Sequence, residues 1–167
     1  KINLHSEHLD EHHEMLFYYK IACIYFGNEN YNESVFYLEK IINNKNLYVR
    51  EDLACFARLL CLIAHYESGK DFNLENQLVS TYKFLIKMND LHEVQKEIIR
   101  FLKKLSTIYP SDIKKEFIKV KERFVELEKN TYEKRAFLYL DIISWLESKI
   151  ENRKISDIIK EKAKLSN

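Results

Sequence analysis

YYKIACIYFGNENYNESVFYLEKI, residues 18–41, sets two apolar runs on either side of a short polar break. In the first run Tyr18, Ile21, Ala22 and Tyr25 recur at helical spacing. In the second Tyr31, Ser34 and Leu38 do the same. GNEN (27–30) separates them, because glycine tolerates a left-handed turn and asparagine suits helix caps. The spacing predicts two antiparallel helices joined by a tight turn, with Ala22 and Ser34 small enough to let them approach closely.

The remainder of the chain extends that pattern. Its 167 residues contain two glycines and one proline, too few turn formers for an all-β protein, so helices joined by short polar loops are expected. The 27 basic and 26 acidic side chains nearly cancel, which disfavours a dedicated nucleic-acid binder. Cys23, Cys55 and Cys61 are odd in number, form no C-x-x-C and sit in apolar helical runs. They read as buried reduced thiols and hence a cytoplasmic setting. No apolar segment approaches the ~18–20 residues of a membrane span, and no signal peptide is present. The chain starts at Lys1 and reads as part of a larger protein.

About seven helices are expected. The first runs from about Glu7 to Phe26 and the second from Tyr31 to Asn43. The third, Leu47 to Ser68, is apolar nearly all round, so it should be covered on more than one face. The fourth carries Leu74, Leu78, Leu85 and Met88. The fifth opens on the Asp90–Glu93 capping pattern and carries Val94, Ile98, Leu102 and Leu105. YPSD (109–112) ends it, with Ser111 placed to cap a sixth helix bearing Phe117, Val120, Phe124 and Leu127. NTYE (130–133) precedes a seventh that runs to about Ile150 through Phe137, Leu140 and Trp145. Residues 1–150 form the helical domain. Residues 151–167 form a polar tail in which a short amphipathic helix starts near Ser156.

Residues 18–46 resemble a tetratricopeptide repeat. Tyr18 takes the first aromatic place, Ile21 and Ala22 the Leu-Gly pair, Tyr25 the tyrosine, and Ser34 and Leu38 the A-x3-F positions. Glu29 stands where the turn glycine is usual, and Asn46 where the terminal proline is. Residues 47–88 match loosely; 90–150 show helix pairing without the motif. The resemblance implies a right-handed stack of antiparallel helical hairpins, an α-solenoid; a generic helical bundle is the alternative. It also implies a non-catalytic scaffold that binds protein or peptide on its inner face.

Several side-chain sets invite chemistry. His5, His8 and His12 share one helical face, but no later Cys or carboxylate cluster completes a zinc site, so no metal or cofactor is expected. Arg58 and His65 interrupt an apolar helix, either as ion pairs with a neighbouring helix or as a ligand-facing stripe with Leu62. Arg58 in a groove suits a carboxylate or phosphate. Residues 1–44 hold seven acids and three bases, whereas residues 96–123 hold nine bases and four acids. The basic stretch is a solvated face, a dock for an acidic protein, or a nucleic-acid surface. No nucleophile elbow, phosphate loop or Cys–His pairing supports catalysis. The groove is therefore expected to comprise Tyr19, Phe26, Arg58, Leu62 and His65, extended by Arg100 and Lys103. Its expected partner is a protein or peptide with acidic character.

Overall fold

The computed structural model describes residues 11–44, 50–69, 73–89, 92–105 and 107–165, with backbone only at Glu11 and His12. Among these residues the chain is all-α. The helices are α1 (Glu11–Gly27), α2 (Tyr31–Ile42), α3 (Glu51–Glu67), α4 (Leu74–Lys87), α5 (Glu93–Leu105), α6 (Ile113–Glu128), α7 (Lys134–Tyr139), α8 (Ile142–Glu151) and α9 (Ile155–Leu165). Each of the first six packs on its successor.

The opening hairpin shows why. Phe26 meets Tyr31 at a ring separation of 5.4 Å, and Tyr18 meets Tyr37 at 6.1 Å, so α1 descends as α2 ascends. Between those contacts the Ser34 hydroxyl donates to the Ala22 carbonyl at 2.9 Å, and both residues are fully buried. That bond satisfies a hydroxyl that would otherwise be costly at a close helix crossing. The left-handed residue of the turn is Glu29, at φ 62°, and not Gly27 as expected. Gly27 instead closes α1 within the packing, where a Cβ would stand 3.8 Å from Ile159 Cδ1.

α3 is the axle of the molecule. Leu53, Leu59, Leu60 and Ile63 are all but inaccessible, and α1, α2, α4 and α5 touch it from different sides. An all-round apolar helix is stable only under such cover.

The C-terminal third departs from expectation. The single seventh helix is broken into α7 and α8, with Leu140 extended at φ −129° and ψ 102°. Asp141 restarts the helix because its carboxylate accepts from the Ser144 N–H at 3.1 Å, a side-chain cap. The polar tail carries α9, the short amphipathic helix expected near Ser156, and its Ile155 and Ile158 are buried in the packing beside α8. The helix total is thus nine among the described residues. Ser111 does not cap α6; Asp112 holds that position without a side-chain cap bond.

Asp90 lies outside the described residues. The start of α5 is capped locally, where the Gln95 side-chain oxygen accepts from the His92 N–H at 2.7 Å, and also from a distant segment. Buried Glu133 accepts from the N–H groups of Glu93 and Val94 at 3.1 and 3.0 Å. Two orphan helix donors are met by one carboxylate, which ties the 130–133 loop to α5. Glu147 on α8 pairs with Lys121 of α6 at 2.9 Å and Lys162 of α9 at 2.7 Å.

Candidate functional site

Two hollows flank α3. The first is a polar cleft of about 360 Å³ over the exposed edge of α3, walled by α2 and α4. Arg58, Leu62 and His65 rise from α3 at spacings of four and three, so they share one face. Glu39 and Asn43 of α2 line one side, and Asn76, Gln77 and Ser80 of α4 the other. Leu62 is buried in the floor.

Arg58 decides the character of this cleft. Its guanidinium carbon lies 4.1 Å from the centre of the Phe84 ring, a cation–π contact. Its Nε is buried with no hydrogen-bond partner among the described residues. Burial pushes the guanidinium pKa down, since the charged form loses hydration there. The ion pair with a neighbouring helix considered from the sequence is not made within the described residues; an aromatic platform stands in its place. The cleft thus combines a charge-bearing fork, amides that both donate and accept, and an apolar floor.

The second hollow is larger, about 510 Å³, and almost wholly apolar. It lies between α1, α3, the α7–α8 break and α9. Tyr19 and Phe26 line it, together with Leu60, Ile63 and Trp145. The polar groups on its wall are already engaged. The Tyr19 hydroxyl donates to the Tyr139 carbonyl at 2.8 Å. The Trp145 indole N–H donates to Glu67 at 2.7 Å. Burial pushes the Cys23 thiol up to about 11, which favours the protonated form at neutral pH.

The residues predicted as one groove therefore fall in three places. Arg58, Leu62 and His65 share the polar cleft, and Tyr19 and Phe26 face the apolar hollow. Arg100 and Lys103 sit on α5, outside the lining of both. Arg100 pairs with Glu97 at 2.7 Å. Much of the basic stretch is neutralised in the same way: Lys104 and Lys119 both reach Glu116, at 2.6 and 3.0 Å, and Lys96 reaches Glu93 at 2.7 Å. His5, His8 and the His12 side chain lie outside the described residues. Elsewhere no three His, Cys, Asp or Glu side chains converge on a metal-sized site among those described.

Sequence reasoning missed Phe84 and the cleft amides. Phe84 lies on the following helix, and nothing local links it to Arg58. No protein-family model, no curated protein and no solved structure matches this chain. No described helix is long and apolar enough to cross a membrane.

Proposed function

We propose that this chain is a non-catalytic recognition domain, a right-handed stack of helical hairpins of tetratricopeptide type, which binds an acidic peptide segment in the cleft over α3. The single observation that carries the reading is Arg58. A guanidinium held on an aromatic ring, its buried Nε without a partner among the described residues, in a cleft lined by amides and hydroxyls with one carboxylate, Glu39, on the α2 side, is poised for a carboxylate. The surrounding asparagine and glutamine side chains suit a peptide backbone, whose groups alternate donor and acceptor. The array reading is supported by the sequential pairing of α1 to α6 and by the left-handed Glu29 at the turn where that family places glycine. A reducing, cytoplasmic setting fits Cys55 and Cys61, which are buried in the core of α3.

The alternative, nucleic acid on residues 96–123, draws less support because Lys96, Arg100, Lys104 and Lys119 are paired with carboxylates. Selection of a displayed random-peptide library against the wild-type chain tests the proposal. The enriched peptides should share an acidic residue and lose tenfold or more in affinity against Arg58→Met, the scale of a lost charged hydrogen bond. A consensus without acid, or one indifferent to Arg58→Met, overturns it.

A further inference from the structure

We propose that the apolar hollow between α1, α3, the α7–α8 break and α9 is a second, separate binding site, and that it takes the alkyl chain of a free long-chain fatty acid. Its volume, about 510 Å³, lies within the range of small-molecule sites. The wall selects the chemistry. Tyr19 and Trp145 have spent their polar hydrogens on Tyr139 and Glu67, and one Asp141 oxygen is held by the Ser144 N–H, so the wall of the hollow is mainly hydrocarbon. Hydrocarbon is what such a surface binds best.

The break itself keeps the hollow open. A continuous helix from α7 into α8 would run its side chains across this space; the extended Leu140 instead leaves the chain bent, with the freed Tyr139 carbonyl held by Tyr19. The lip carries Ile24 and Leu138, 64% and 78% exposed, which extend the apolar lining to the surface. Lys20 also stands on the lip, and no carboxylate pairs with it among the described residues. Asp141 also lines the hollow and accepts from the Ser144 N–H as the cap of α8. Lys20 is therefore the group at the entrance that can pair with an anionic head at the end of an aliphatic chain.

Calorimetric titration with decanoate, dodecanoate and tetradecanoate, each below its micelle concentration, tests this. Affinity should rise roughly fourfold with each added methylene. Lys20→Glu should weaken dodecanoate several-fold and leave dodecanol unchanged. Ile24→Glu, at an exposed lip position where folding is not at stake, should weaken both, and Cys23→Phe should block the hollow from inside. Affinity indifferent to chain length, or unchanged in both Ile24→Glu and Cys23→Phe with helicity intact, overturns the proposal. So does a concentration-dependent dimer abolished by Ile24→Glu, which would make the occupant a second copy of the chain. Co-sedimentation with fatty-acid-free phosphatidylglycerol vesicles, lost in Ile24→Glu, would also overturn it by making the lip a membrane contact. Peptide binding at Arg58 stands or falls independently of all these results.

Discussion

The two hollows beside α3 differ in one respect that decides what each can bind. In the cleft, a cation and a set of amides have their hydrogen-bonding capacity unspent or spent only in part. In the apolar hollow, the Tyr19 hydroxyl and the Trp145 indole N–H are consumed by the fold. A polar group already satisfied contributes to stability and little to recognition; one left unsatisfied costs stability and is available to a ligand. The hollows should therefore respond in opposite ways to substitution.

The largest effect belongs to the apolar side. Trp145 is buried, stacks edge-on against Phe117 at 5.5 Å, and bonds Glu67 across to α3. Trp145→Ala should cost about 3–5 kcal/mol, read from urea denaturation. A loss under ~2 kcal/mol would mean this wall collapses freely and is not a preformed site. Tyr19→Phe is the finer test. It removes one oxygen and strands the Tyr139 carbonyl at the helix break, which should cost about 1–3 kcal/mol. An unchanged midpoint would show that the carbonyl had another partner, and the contrast between the hollows would fail.

How far the sequence foretold this follows the range of the interactions. The α1–α2 hairpin was legible because its determinants, Ala22, Ser34 and the aromatic pairs, lie within 20 residues of one another. The all-round burial of α3 was legible from its apolar density. The α7–α8 break was written in Asp141 and Ser144, a local cap pattern that the apolar periodicity of Phe137, Leu140 and Ile143 masked. The cap from Glu133 onto α5 and the platform of Phe84 under Arg58 were not legible at all. Each joins segments whose neighbourhood is set only when the helices have packed. The scatter of the predicted groove has the same cause: face assignments on one helix do not say which neighbour will cover that face.

Arg58→Met turns the comparison round. The charge sits partly desolvated with no carboxylate paired to it among the described residues, and the cation–π contact returns about 0.5–2 kcal/mol. Methionine keeps the apolar stem and removes the desolvation cost, so stability should change by less than ~1 kcal/mol, in the stabilising direction if either. Peptide binding should nevertheless be lost. A loss of stability beyond ~1 kcal/mol would identify Arg58 as a structural residue, and the binding proposal would lose the observation that carries it.

Acid should separate the hollows with the smallest energies. Burial raises the Glu147 pKa, but hydrogen bonds and charge from Lys162 and Lys121 outweigh it, leaving the carboxyl below its usual value. A carboxylate with a depressed folded pKa stabilises above the unfolded value, and that contribution is lost as pH falls through the folded one. Its protonation removes two ion pairs that tie α8 to α9 and to α6, each worth a few tenths to about 1 kcal/mol at this exposure. α9 supplies Ile155 and Ile159 to the apolar hollow, whereas the cleft rests on α3, held by buried hydrocarbon. Hydrogen exchange followed down in pH from neutral into the carboxylate range should therefore show α9 losing protection while α3 keeps it, and Glu147→Gln should bring the same loosening at neutral pH. Simultaneous loss in both helices would mean that one cooperative unit contains the two hollows, and that neither can open without the other.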